Sequence, residues 1–101
     1  MGRYPRWRPQ RLGDKLRQIR LSLELSQDGM LGPLGLDESF RSKISNYERI
    51  GDPELPILLK YARLAKVSTD VLIDDEQNLP KSLLRKAETG EKLVRERRRR
   101  K

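Results

Sequence analysis

Four polar side chains, Arg41, Ser42, Ser45 and Asn46, recur at helical spacing among the apolar Phe40, Ile44 and Tyr47. If the apolar three face a core, the polar four project together from the opposite side of one helix. Their chemistry suits base edges. An arginine can grip guanine through O6 and N7, and an asparagine can grip adenine through N6 and N7. A major groove admits one helix, and it is read by side chains near the start of that helix. Lys43 and Arg49 lie on the same stretch and are candidates, by charge and position, for phosphate contacts that carry no base information. The same pattern also describes an ordinary solvated helix face, and from charge alone that plainer reading is the stronger.

Other chemistries find little to work with. The chain has no histidine and no cysteine, which removes the usual general base, the usual metal ligands and any disulfide or thiolate. Any catalytic base would have to be a carboxylate or a lysine, and no paired constellation is visible. Asp74, Asp75 and Glu76 are three adjacent acids without further ligand types, and they read as a solvated helix exit rather than a metal site. No cofactor, metal or enzymatic activity is expected. At 101 residues, 35% hydrophobic and 38% charged, the chain supports one small core with tails. No apolar run approaches the length of a membrane span, and no apolar stretch follows the basic start, so neither a membrane association nor a secretory signal is expected.

The net charge of +8 is concentrated at the ends. Residues 1–11 carry +4, residues 95–101 carry +5, and residues 12–94 carry −1. Basic ends on a nearly neutral body favour phosphate, in nucleic acid first and anionic lipid second. Residues 1–10 hold two prolines and interleave arginines with aromatics, which reads as a flexible arm. Arg3, Arg6, Trp7 and Arg8 are its candidates for a minor-groove or backbone clamp, since arginine favours narrow A·T-rich minor grooves. Trp7 reads equally well as a residue docked onto the domain.

The positioning elements are helices throughout. Leu12, Leu16, Ile19 and Leu23 form one apolar stripe. Ser26 is a candidate N-cap, with Gln27 opening a second helix that Gly29, Gly32 and Pro33 end or distort. Asp37 and Ser39 are candidate caps for a third helix over about 39–49, which Gly51, Asp52 and Pro53 close. Ile57, Leu58, Tyr61, Ala62, Leu64 and Ala65 give a fourth, with Pro56 in its first turn. A short fifth helix follows Ser68. From Leu79 onward the chain is helix-prone, but its apolar stripe is ragged and interrupted at Thr89 and Gly90. Its last seven residues are solvated charge, read as a second phosphate contact ahead of a disordered solubilising end.

Taken in order, Leu12, Ile19-Arg20, Leu25-Ser26-Gln27, Ile44-Ser45-Asn46-Tyr47-Glu48-Arg49 and the run from Pro53 to Leu72 resemble the phage repressor/Cro-type helix-turn-helix family, also called the xenobiotic-response-element type. The resemblance spans roughly residues 11–74 and leaves both tails uncovered. It departs from the family pattern in a 32–40 connection about three residues longer than usual, in Leu31 where the family has a small residue, and in a turn after the third helix about one residue short.

The resemblance implies an all-α, compact five-helix repressor-like domain over 11–76, with the basic arm at 1–10 and a C-terminal helical extension and basic tail at 77–101. It implies sequence-specific binding of double-stranded DNA by a transcriptional regulator, expected to act as a repressor, of the kind found in prokaryotes and phages. The expected location is the cytoplasm, at the nucleoid, and a homodimer matched to a two-fold operator is a further expectation. The family's base contacts map to Arg41, Ser42 and Asn46, its backbone-contacting glutamine to Gln27, and its ion pair between the first and third helices to Arg20 and Glu48. For Gln27 a capping role stands beside the backbone contact, and for Arg20 and Glu48 the plain alternative is two separate surface charges. A rival of another class is an antitoxin or adaptor that grips a protein partner through 79–101. RNA binding through the basic, aromatic arm is a third reading.

Overall fold

The computed structural model describes residues 8–99. Those residues are helical, with no strand among them. Six helices follow in order: α1 (Leu12–Ser22), α2 (Leu31–Leu34), α3 (Arg41–Ile50), α4 (Leu55–Ala65), α5 (Thr69–Ile73) and α6 (Lys81–Arg99). Single 3₁₀ turns, Asp28–Met30 and Glu38–Phe40, lead into α2 and α3.

Helix α1 buries Leu12, Leu16 and Ile19, as the spacing of its apolar residues dictates. It ends at Ser22, one residue before Leu23. Its N-cap residue, Arg11, offers no side-chain oxygen. The exposed amides at its start are met instead by Asp75, which accepts from Gln10 N at 2.8 Å and Arg11 N at 3.0 Å. The acidic exit after α5 is thus tied to the start of α1, where a merely solvated cluster was expected.

The second helix departs from expectation at its start. Ser26 Oγ accepts from Gly29 N at 3.0 Å, yet the first turn winds as 3₁₀ and regular helix begins only at Leu31. Gly32 and Pro33 then lie inside α2 rather than ending it. Pro33 lies in the first turn of regular helix, where proline's fixed φ is accommodated. Gly35, at φ 70°, closes the helix in the left-handed region that favours glycine, and Leu36 N reaches back to Leu31 O. Residues 35–37 join α2 to the turn before α3. Asp37 then caps the next turn, accepting from Ser39 N at 2.9 Å and from the Ser39 hydroxyl. The regular part of α3 starts at Arg41, two residues later than the cap pattern predicts.

Leu16, Ile19, Met30, Leu34, Ile44, Tyr61 and Leu72 are fully buried, so α1 to α5 each supply the centre of one core. Lys15 also lies on the buried side of α1. Its ammonium donates to Val71 O at 2.7 Å and Asp74 O at 2.9 Å, closing the end of α5. Burial lowers its pKa, with Arg11 nearby acting in the same direction.

The last helix corrects the ragged reading of the C-terminal segment. It runs unbroken through Thr89 and Gly90 to Arg99. Leu83, Ala87 and Gly90 are buried along it, and Leu79 and Leu83 join the same core as α1–α5. A Cβ built on Gly90 would stand 1.7 Å from Leu21 O, so glycine is what lets α6 lie against α1. Arg17 clasps Glu91 across that contact at 2.9 Å. Among the described residues no helix is long and apolar enough to cross a membrane.

Candidate functional site

Helix α3 is set from behind. Ile44 and Tyr47 are buried, and Phe40 is half-buried ahead of them. Glu48 points inward to a bidentate pairing with Arg20: Nε donates to Oε2 at 2.6 Å and Nη2 to Oε1 at 3.1 Å. The two side chains are 8% and 6% exposed. The remaining reach of Arg20 goes to Leu25 O at 2.8 Å. One guanidinium therefore fixes α1, the turn before α2, and α3. Gly13 brings α1 close enough that an added Cβ would stand 2.3 Å from Glu48 O. Gly51, at φ 76°, ends α3, donating its N–H to Tyr47 O at 2.9 Å.

The outward side carries the candidate base contacts. Arg41, Ser42 and Asn46 are exposed and Ser45 is half-exposed. Arg41 is the first residue of regular helix. Its guanidinium lies 3.1 Å from Asp28 and 3.6 Å from Glu38, with all three side chains more than half exposed. Exposed ion pairs of this kind contribute about 0–1 kcal/mol. They orient Arg41 without committing it. Asn46 Oδ1 accepts from Arg49 Nη2 at 2.6 Å, so these two candidates touch each other.

The candidate backbone contacts flank this set. Gln27 Nε2 donates to Glu48 Oε1 at 3.2 Å, which puts Gln27 beside the buried ion pair and next to Asp28. Lys43 stands 3.8 Å from Glu54 and 5.1 Å over the Phe40 ring. Tyr47 donates to the same Glu54 at 3.2 Å. Burial, with Glu54 alongside, pushes the Tyr47 hydroxyl up to about 12. Glu54 is lowered, by its own backbone amide first and by Tyr47 next.

Of the arm, Arg8 is exposed and its carbonyl accepts from Gln10 Nε2 at 3.4 Å. Arg3, Arg6 and Trp7 lie outside the described residues. Among the described residues no group of three metal-ligating side chains converges.

Sequence reasoning missed the acids that face the basic candidates, Asp28 and Glu38 on Arg41 and Glu54 on Lys43. Glu38 and Arg41 are three apart, a spacing that brings helical side chains together. The Asp28 pairing spans thirteen residues and carried no local signal. Compared with known proteins, the chain matches no family model, no curated protein and no solved structure.

Proposed function

We propose that this chain is a sequence-specific DNA-binding regulator of the helix-turn-helix kind, with α1–α5 as a repressor-like domain and α3 as the helix that enters the major groove. One observation carries the reading. Four polar side chains able to address base edges, Arg41, Ser42, Ser45 and Asn46, share the free side of a helix whose other side is locked by the Arg20–Glu48 pair. Rigidity matters because base readout needs side chains already in place, and each good bidentate contact discriminates by about 1–3 kcal/mol. The exposed acids that hold Arg41 contribute less than such a contact gains, so guanine can displace them. Gln27, Lys43 and Arg49 then fall to the backbone on either side.

The rival reading, a protein-gripping C-terminal segment, draws less support. The apolar side of α6 is already taken up by α1, through Leu83, Ala87 and Gly90.

Selection of bound duplexes from a random pool, followed by titration against the selected site and scrambled duplex, tests the function. The selected site is expected to bind more tightly than scrambled DNA. Asn46→Ala is expected to reduce that ratio by about 5–150-fold, the equivalent of 1–3 kcal/mol, while leaving scrambled-duplex binding nearly unchanged. No enrichment in the pool, or tighter binding to single-stranded RNA than to any duplex, would overturn the proposal.

A further inference from the structure

The basic end of α6 is held in place rather than free. Gly90 seats the helix on the Leu21 carbonyl. Seven residues on, Arg97 Nη1 donates to Glu24 O at 2.8 Å, and its Nη2 lies 3.5 Å from the Glu24 carboxylate. Glu24 itself sits at φ 60°, in the turn between α1 and α2. The last two turns of α6 therefore overhang residues 24–29. Two adjoining clefts of about 320 and 390 Å³ open beneath them, and Ser26, Gln27, Val94 and Arg98 line both. Arg95 lines the first and Asp28 the second.

The charges divide unevenly. Arg95 shares Glu91 with Arg17, at 3.2 and 2.9 Å, so one carboxylate serves two guanidiniums. Arg98 has no ion-pair or hydrogen-bond partner among the described residues and is exposed. The C-terminal dipole of a helix amounts to about half a negative charge and falls off within a turn. Arg95, Arg97, Arg98 and Arg99 against Glu96 outweigh it. The cleft is also continuous with the α3 face. Asp28 lines it and pairs with Arg41, and Gln27 lines it and bonds to Glu48.

We infer that this end of α6 is a second grip on duplex DNA, in which Arg95 and Arg98 hold backbone phosphates of a stretch adjoining the one that Gln27 meets. The inference rests on the proposed DNA-binding function. It assigns α6 a positioning role with no base readout, because arginines on a phosphate track raise affinity alike for every sequence. Docking against α1 and the 24–29 turn keeps the grip in register with α3, which a loose charged tail does not do.

Two charge-matched variants of the full chain test it. Arg95→Gln/Arg98→Gln removes two charges from the cleft, and Lys81→Gln/Lys86→Gln removes two exposed charges from the first part of the same helix. Affinity for the selected and the scrambled duplex is measured from about 50 to 200 mM salt, the range over which such contacts weaken strongly. The cleft variant is expected to weaken both duplexes by the same factor. Its log–log salt slope is expected to be shallower by about 0.9 for each phosphate no longer neutralised, so by about 1.8 for two. The lysine variant is expected to keep nearly the wild-type slope. Equal slopes in the two variants, or an unchanged slope in the cleft variant, overturn the second grip. In that case a selected-site preference that Asn46→Ala still reduces leaves the α3 reading standing. If the wild-type chain binds no duplex even at the lowest salt, both fall together.

Discussion

At the scale of single residues, the consequential pair is Arg20 and Glu48. Both are nearly excluded from water, and each is the other's compensation. A buried ion pair adds little over a well-packed apolar pair, but removing one partner strands the other at a cost of about 3–5 kcal/mol. Glu48→Ala is therefore expected to lower unfolding stability by about that amount in denaturant titration. The double change Arg20→Leu/Glu48→Leu is expected to cost less than the single one, since no charge is then left alone. A single-variant loss below about 1 kcal/mol, the range of exposed pairs, would show that water reaches the pair. Neither residue stands out by composition, since each reads as one charge among many. They come together in the sequence only through the spacing of Arg20, Gln27 and Glu48 in a repressor-like pattern. Arg41 differs. Its exposed, helical position was legible from Phe40, Ile44 and Tyr47 alone, but Asp28 beside it was not, because that contact depends on the path of residues 31–40.

At the scale of elements, apolar period was a good guide where helices are long and a poor one where they are short. The stripes of α1 and α4 and the buried side of α3 follow from residues three and four apart. The start of the second helix does not follow, because one 3₁₀ turn and one turn of α-helix have too few residues to show a period. In the C-terminal segment the apolar period fails as a guide for another reason. Gly90 looks like a break in a helical stripe, yet its missing Cβ is the contact itself. Glycine is penalised in an exposed helix by about 1 kcal/mol, and only the partner helix reveals what offsets that. Gly13 acts in the same way between α1 and α3. The atom a Cβ would strike, Glu48 O, is backbone and cannot swing aside. Gly13→Ala is expected to force the two helices apart and to destabilise by about 1–3 kcal/mol, the usual cost of overpacking, read as a lower unfolding midpoint. It is also expected to weaken selected-site binding more than scrambled-site binding, since it displaces α3 without removing any polar contact. If Gly13→Ala melts with the wild type, the close approach of α1 to α3 is not a constraint.

At the scale of the whole molecule, the acids that join its elements are few and the cations that repel one another are many. Asp75 is lowered by the Gln10 and then the Arg11 amide, Glu91 by Arg17, and Asp37 by the Ser39 hydroxyl and then its amide. Asp75 ties the start of α1 to the exit of α5, Glu91 ties α6 to α1, and Asp37 caps the turn before α3. A carboxyl whose pKa is lower folded than unfolded stabilises the fold above its unfolded value, and that contribution is lost as pH falls through the folded value. Unfolded Asp and Glu titrate near 3.9 and 4.3, so the loss is expected to begin near pH 4 and to deepen below it. Full protonation of the 15 carboxylates would also raise the net charge from +8 to +23, the number of Lys and Arg side chains. The arginines crowded at the end of α6 would then face each other with Glu91 and Glu24 neutralised. Self-repulsion and lost pairing thus act in the same direction. They separate by salt, because the screening length falls from about 10 Å at 0.1 M to about 3 Å at 1 M. Denaturant midpoints at pH 7 and near pH 3 are expected to differ strongly in low salt, with added sodium chloride restoring part of the acid loss and little of the remainder. A midpoint that holds from neutral pH to about pH 2.5 would mean that these carboxyls do not join the elements in solution.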